Sequence, residues 1–226
     1  MRPTAFRKRV TFLTTFSRIL LSLAARAQIF VRVKVTGRRN VPSTGAVIIC
    51  ANHISMADPI FLHGALRRNI AFMAADWQFR VPLFGKIMRQ MGHIPVYRDT
   101  AKAKLALVDA VAVLRHGGLI GIFPEGKLSP DGRQLQARGG MADMAFRTGA
   151  PVVPVGIDGT HRFMPIGKRM RFGHRVHLNF GEPIRPPYLS DNAPVEDRRA
   201  FSALVMSRIA SLSGLPGPDV SKATTI

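Results

Sequence analysis

Short apolar runs alternate with longer amphipathic segments along most of the chain. The apolar runs have the length of strands and lie at 47–50, 70–73, 94–97, 119–123, 152–157 and 176–180. Segments with apolar residues three or four apart, as on one face of a helix, lie at 59–66, 82–91, 101–116, 139–148 and 195–212. Strands that alternate with helices are typical of a mainly parallel sheet. We therefore predict an α/β fold, with a mostly parallel sheet flanked by helices.

The N-terminal segment has a different pattern. Its apolar residues are spaced for one face of a helix and are Phe12, Phe16, Ile19, Leu20, Leu23, Ala27 and Phe30. Ten basic residues and no acidic residue precede Asp58. Arg18 and Arg26 interrupt the apolar run, which argues against a spanning helix and against a cleaved signal peptide. We expect residues 1–34 to lie along a membrane surface, the alternative being a helix packed on the domain with a solvated basic face.

The overall charge points to an anionic partner. The chain has 226 residues, a formal net charge of +20 and a single cysteine, Cys50. One cysteine excludes a disulfide framework and a cysteine-based zinc site. The basic excess suits nucleic acid, anionic lipids or an acidic acyl carrier protein. Because no helix-turn-helix, zinc-finger or RNP signature is present, no nucleic acid is expected.

Polar residues follow three of the predicted strands. His53 and Asp58 come after the strand at 47–50, Arg98 follows the strand at 94–97, and Glu125 and Gly126 follow the strand at 119–123. In parallel sheets the ligand crevice lies beyond the carboxyl ends of the strands. We therefore expect these residues to meet in one crevice.

The spacing of His53 and Asp58 suits acid–base catalysis. A histidine is the best general base near neutral pH, and a carboxylate five residues later can orient its ring. A substrate hydroxyl can then be the nucleophile, since Ser55 lacks a G-x-S-x-G elbow. The turn at Gly126 can present backbone N–H groups to an oxyanion, and Glu125 can hold acceptor hydroxyls. Taken singly, the same residues also fit an incidental surface pair and an ordinary turn.

Four blocks in this order resemble the glycerolipid acyltransferase family, typified by 1-acylglycerol-3-phosphate acyltransferase. The blocks are Asn52 to Pro59, Gly92 to Arg98, Phe123 to Ser129, and Val153-Pro154-Val155. The likeness covers about residues 35 to 185. It divides the chain into the N-terminal segment 1–34 and an acyltransferase domain 35–226.

The resemblance implies a reaction and a site. His53 is expected as the general base and Asp58 as its partner, with Arg98, Glu125, Gly126 and Lys127 at the acceptor site. The implied reaction transfers a fatty acyl group from acyl-CoA or acyl carrier protein to the hydroxyl of a lysophospholipid, in phospholipid biosynthesis. No cofactor and no metal are expected. The implied location is the cytoplasmic face of the cell membrane, as a peripheral or monotopic protein bound to anionic lipids.

Two positions depart from the family pattern. The third block often continues Thr-Arg-Ser but here continues Lys127-Leu128-Ser129, and Ala75 stands where a lysine is common. Both missing cations suggest a different acceptor, such as a glycolipid. A nucleic-acid or anionic-surface binding protein remains the alternative from another class. A hydrolase that uses His53 and water is a third hypothesis.

Overall fold

The computed structural model describes residues 31–97, 103–130 and 133–215. Within these ranges seven strands form one sheet in the order β1-β7-β6-β2-β5-β3-β4. Every neighbouring pair is parallel except β6 with β7, which is antiparallel. The prediction of a mostly parallel sheet is confirmed. The strands are β1 Val31–Thr36, β2 Val47–Ala51, β3 Ala71–Ala75, β4 Ile94–Val96, β5 Leu119–Ile122, β6 Val152–Asp158 and β7 His174–Phe180.

Helices connect most of the strands, as the alternating pattern predicts. They are α1 Asp58–Ala65, α2 Phe84–Gln90, α3 Ala103–Arg115, α4 Gly140–Thr148, α5 Thr160–Phe163 and α6 Val195–Ser213. Two short 3₁₀ helices, Arg38–Asn40 and Asp76–Arg80, complete the elements. In the described part of the chain, no helix is long and apolar enough to cross a membrane.

The central strand β2 separates two apolar cores. All five of its residues are buried, and alternate side chains enter opposite cores because successive residues of a strand point to opposite faces. Ile48 and Cys50 join the core under α3, α4 and α6. Val47, Ile49 and Ala51 join the core under α1. Each fully buried large apolar side chain stabilises the fold by about 1.5–3 kcal/mol, so β2 is a fixed support for the loop that follows it.

The first strand was not predicted from the sequence. Val31–Thr36 alternates apolar and polar residues, and it pairs in parallel with β7 at the edge of the sheet. The boundary expected between residues 34 and 35 therefore falls inside β1. The membrane-associating helix expected before it lies in residues 1–30, outside the described residues.

Helix α3 differs in detail from its predicted face. Val108 is 54% exposed, whereas Ala106, Ala110, Val111 and Leu114 are buried against the sheet. Helical spacing alone groups Val108 on one face with Leu107, Val111 and Leu114, and the structure instead exposes it. The buried stripe of the helix includes two alanines, and Val108 lies outside it.

The strand order brings two of the three predicted polar loops, those after β2 and β5, together. β5 lies between β2 and β3, with Cys50 beside Ile122 and Phe72 beside Gly121. All three strands are parallel, so their carboxyl ends lie at the same edge of the sheet. The loops that begin with Asn52 and Phe123 and the 3₁₀ helix that begins with Asp76 therefore start side by side.

Candidate active site

The loop after β2 holds His53 against Asp58. Nδ1 of His53 lies 2.9 Å from Oδ2 of Asp58, and this oxygen also accepts the backbone N–H groups of Ile54 at 2.8 Å and Ser55 at 2.9 Å. The Asp58 side chain is fully buried, while the His53 side chain is 15% exposed. Because the carboxylate accepts from Nδ1–H, Nε2 of His53 keeps its lone pair for a proton.

Asn52 fixes the start of this loop. Its amide Nδ2 donates to the Ile157 carbonyl at 2.9 Å, and its Oδ1 accepts the Ile157 N–H at 2.7 Å. Both bonds are buried, so they join the end of β2 to β6 in a medium where such bonds are strong. His53 is therefore placed next to a rigid, paired residue.

Aromatic rings stack along the floor of the site. The His53 ring stacks on Phe123 with centroids 3.9 Å apart, and Phe123 stacks on Phe72 at 5.7 Å. Gly121 makes room for this stack, because a Cβ there would lie 2.4 Å from the Phe72 ring. Phe123 therefore covers one face of the His53 imidazole and leaves the edge of that ring uncovered.

Glu125 lies beside His53 but is bonded to the backbone. Its Oε1 accepts the N–H of His53 at 3.3 Å and its Oε2 accepts the N–H of Leu135 at 3.2 Å. Burial raises the pKa of Glu125 to about 7, and the charge of Asp58 adds to this rise. In this arrangement the carboxyl group links two loops of the site. A contact between Glu125 and the acceptor stays a prediction.

The other expected site residues have different placements. Gly126 lines the site with φ of 70°, but its N–H already donates to the Phe123 carbonyl at 3.0 Å. This N–H is therefore already paired, and the contact of the turn's backbone N–H groups with an oxyanion stays a prediction. Lys127 is exposed next to it. Arg98 lies outside the described residues.

Arg138 is a residue that the sequence pattern did not single out. A Cβ on Gly126 would lie 3.0 Å from Cδ and Nε of Arg138, so the guanidinium arm crosses directly over this glycine. The Arg138 N–H also donates to the Pro124 carbonyl at 2.8 Å. In the sequence Arg138 lies 12 residues after Gly126, and no motif at that separation predicts a contact between them.

Ser55 is not available as a nucleophile. Its hydroxyl donates to the Met164 carbonyl at 2.9 Å and accepts the Ala57 N–H at 3.2 Å. The side chain is also fully buried. Both bonds give Ser55 a role in holding the His53 loop against the residues that follow α5.

An apolar cavity of about 260 Å³ begins at His53 and runs between α1, β3 and α2. Phe123 and Gly126 lie at the His53 end, and Met73, Met88 and Met91 lie further along. None of the described residues that line it is a lysine or an arginine. The cavity therefore suits a hydrocarbon chain and not a charged group.

Two further histidines line the same cavity. The rings of His63 and His93 are 5.4 Å apart, and each packs against Phe72. Nδ1 of His93 accepts the Phe72 N–H at 3.0 Å, which requires the neutral ring. Burial lowers the pKa of His63 to about 3 and that of His93 to about 4. Within the described ranges no group of three or more histidine, cysteine or acidic side chains is arranged to hold a metal ion.

Comparison with known proteins finds similar sequences in bacteria and algae. A 1-acyl-sn-glycerol-3-phosphate acyltransferase of Borreliella burgdorferi is 34% identical over 134 residues, covering 59% of this chain and 54% of that protein. A protein of the same name from Chlamydomonas reinhardtii is 31% identical over 197 residues, covering 86% of this chain and 56% of its own. The chain thus spans about half the length of the curated relatives it matches.

A solved structure has a similar fold. The crystal structure of the 1-acyl-sn-glycerophosphate (LPA) acyltransferase PlsC from Thermotoga maritima superposes with a TM-score of 0.71 and 28% sequence identity. The match covers 92% of this chain and 80% of that one. Residues 32–158 also match the model of the Acyltransferase family. These residues include most of β1 and all of β2 through β6 with the His53–Asp58 pair, and the chain belongs to the Acyltransferase family.

Proposed function

We propose that this chain transfers a fatty acyl group from an acyl thioester to the hydroxyl of a lysophosphatidate-type acceptor. The observation that carries the proposal is the 2.9 Å contact between Nδ1 of His53 and Oδ2 of Asp58 at the end of an apolar cavity. The thioester is acyl-CoA or an acyl carrier protein, and the reaction belongs to phospholipid biosynthesis at the cytoplasmic face of the membrane.

In the proposed mechanism the acceptor hydroxyl is the nucleophile. Nε2 of His53 takes its proton as the oxygen attacks the thioester carbonyl. Asp58 stabilises the imidazolium that forms. The tetrahedral intermediate then collapses, the C–S bond breaks, and the imidazolium returns the proton to the leaving thiolate. No acyl-enzyme forms, which agrees with the two hydrogen bonds that occupy the Ser55 hydroxyl.

The distribution of charge supports an orientation for the substrates. The cavity lining in the described part of the chain is free of lysine and arginine, so the acyl chain takes the cavity. A phosphate monoester needs charge-assisted hydrogen bonds, best supplied by an arginine fork. Arg138, which crosses over Gly126, is the described arginine best placed to supply them, and Lys127 and Arg98 are further candidates. The phosphate group accordingly stays outside the cavity, beside Gly126.

A second acceptor class is favoured by one observation. Ala75 lines the apolar cavity, and Leu128 is only partly exposed, so neither position offers the cation common in the family. A lysolipid without a phosphate monoester, such as a glycolipid, is the acceptor that these residues suit. Leu128→Arg should then raise kcat/KM for lysophosphatidate selectively. A native preference of tenfold or more for lysophosphatidate would reject this second candidate.

Product analysis tests the main proposal. The purified full chain is given acyl-CoA or acyl carrier protein together with lysophosphatidate, and thiol release and the lipid product are measured. We expect phosphatidate to form and thiol release to depend on the acceptor. Free fatty acid formed equally with and without acceptor would identify a hydrolase. Salt-sensitive DNA binding with no thiol release would identify a binding protein.

A further inference from the structure

Six large apolar side chains are exposed in the segments around the cavity. We name this surface the apolar rim, and it consists of Met56, Ile60, Trp77, Val81, Leu83 and Phe84. Met56, Ile60 and Phe84 are each about half exposed and also line the cavity, so they mark where it opens. At these three residues the rim and the cavity wall are one apolar surface. Contiguous exposed apolar surface of this kind marks an interaction site.

The backbone holds the outermost residue of the rim in an unfavourable conformation. Leu83 is 74% exposed and has φ of 60°, the only described residue other than glycine with a positive φ. The Phe84 N–H donates to the Pro82 carbonyl at 2.6 Å, which closes a γ-turn of the rare, strained form. Such strain persists only where surrounding structure enforces it, and it clusters at functional sites. Here it directs an apolar side chain into solvent.

The elements behind this turn form a fixed support. Phe79 is buried, and its carbonyl accepts a hydrogen bond from Nη1 of Arg89 at 2.9 Å. Gly85 packs so closely on Phe79 that a Cβ would lie 2.1 Å from the Phe79 carbonyl oxygen. Arg80 forms an ion pair with Asp76 in the same 3₁₀ helix. The exposure of Trp77, Leu83 and Phe84 is therefore a feature of a packed segment.

The charge around the rim selects the kind of partner. From Asp76 to Arg98 the sequence has one acidic residue and four basic ones, and the acid, Asp76, pairs with Arg80. Lys86 and Arg89 are the further bases of the described part of this segment. An apolar tip surrounded by bases fits the surface of an anionic bilayer, where acyl chains lie below phosphate groups. A second copy of this chain would bring a further charge of +20, which opposes self-association through this surface.

We propose that the apolar rim inserts into an anionic bilayer, so that the cavity opens directly into the acyl region of the membrane. Leu83, Phe84 and Trp77 enter the apolar layer, and Lys86 and Arg89 lie at the level of the phosphates. A lipid chain then enters the cavity past Phe84 without crossing water. That the cavity receives a lipid chain rests on the proposed function. Insertion of the rim into the bilayer does not depend on it.

The single tryptophan of the chain reports on this surface directly. Trp77 is the only tryptophan and belongs to the rim. The full chain is mixed with vesicles of phosphatidylglycerol and phosphatidylcholine, with and without bromine atoms on the acyl chains. We expect Trp77 emission to shift to shorter wavelength, to be quenched by the bromines, and to become less accessible to acrylamide.

Two substitutions at one position separate insertion from folding. Leu83→Gly relieves the positive φ and removes the apolar side chain, and Leu83→Asp places a charge there. Leu83→Gly should weaken partitioning into the vesicles by about tenfold or more, the value expected for one leucine side chain, and Leu83→Asp should weaken it further because it adds a charge. Leu105→Asp and Val108→Asp on α3 are matched controls, because these residues are 53% and 54% exposed on another surface. The controls should bind like the unmodified chain.

Several outcomes would overturn the proposal. One is vesicle-bound protein whose Trp77 emission, bromine quenching and acrylamide accessibility match those of free protein. Another is a blue-shifted, protected Trp77 before vesicles are added, which would mean that another part of the chain covers the rim. A third is a response of Trp77 to an acidic acyl carrier protein and not to vesicles. Since no step requires catalysis, these results are independent of whether acyl transfer occurs.

Discussion

Two regions of the cavity contain histidines in different environments. One is the His53 end, and the other is the wall that holds His63 and His93. The rings belong to one aromatic cluster that runs from His53 through Phe123 and Phe72. His53 is partly exposed and has the Asp58 carboxylate on its Nδ1. His63 is buried and His93 is partly exposed, both pack against Phe72, and the described residues give neither an ion-pair partner. Burial lowers the pKa values of His63 and His93, whereas the carboxylate beside Nδ1 gives His53 the arrangement that the proposed mechanism requires of a base.

The sharpest way to break this comparison is a matched pair of asparagine substitutions. In His53→Asn the amide can still donate to Asp58, but the Nε2 base is gone. We expect kcat to fall by about 10²–10⁴-fold, the usual contribution of a positioned base. His93→Asn keeps an acceptor for the Phe72 N–H and should retain most of its activity. Steady-state thiol release measures both.

The comparison fails if the two variants lose activity equally, or if His53→Asn turns over at the native rate. Circular dichroism and thermal unfolding of both proteins provide the control that the fold is intact.

Asp58→Asn removes the feature that distinguishes the two regions, which is the negatively charged carboxylate beside Nδ1 of His53. We expect kcat to fall by about 10²-fold, because the imidazolium formed during transfer loses its counter-charge. KM should change much less, since Asp58 is buried away from substrate. Intact-protein mass spectrometry during turnover should find no acyl adduct in either protein. An adduct on the native chain would contradict direct transfer.

His63→Phe tests the neutrality of the other region through acid stability. The unfolded chain binds a proton at His63 near pH 6.5, whereas burial lowers the folded pKa to about 3. The native chain therefore loses stability as the pH falls below 6.5, by up to about 1.4 kcal/mol per pH unit from this group. His63→Phe should lack this loss, so its free energy of unfolding should rise relative to that of the native chain as the pH falls. The exposed His116, substituted by glutamine, is the control, and parallel acid unfolding of the native and His63→Phe chains would refute the account.

Glu125→Gln tests a buried group that belongs to the His53 region. Burial raises the Glu125 pKa from 4.5 to about 7 in the folded chain. The folded state therefore holds a proton that the unfolded state releases, so stability falls as the pH rises from 4.5 to 7. Glutamine cannot titrate, so the variant should lack this slope of up to about 1.4 kcal/mol per pH unit. Urea unfolding across this pH window compares the slopes, and equal slopes would show that Glu125 titrates normally.

Local patterns predicted most of the fold because its elements are short and well punctuated. The alternation of apolar runs and helical segments is sufficient for the mostly parallel sheet, since βαβ units have few alternatives. Strand β1 was missed because an amphipathic N-terminal pattern continues into it. Val108 was misplaced because helical spacing alone does not tell which of two neighbouring stripes faces the sheet.

The contact between His53 and Asp58 was determined by the sequence alone, because five residues in one tight loop leave the two side chains few other positions. Tertiary structure decided the rest of the site. Glu125 meets backbone donors, Arg138 crosses Gly126, and Trp77 lies outside while Phe79 lies inside. Each of these depends on neighbours from other segments. Burial and desolvation are properties of packing, so no pattern of nearby residues reveals that the pKa values of His63 and His93 are lowered.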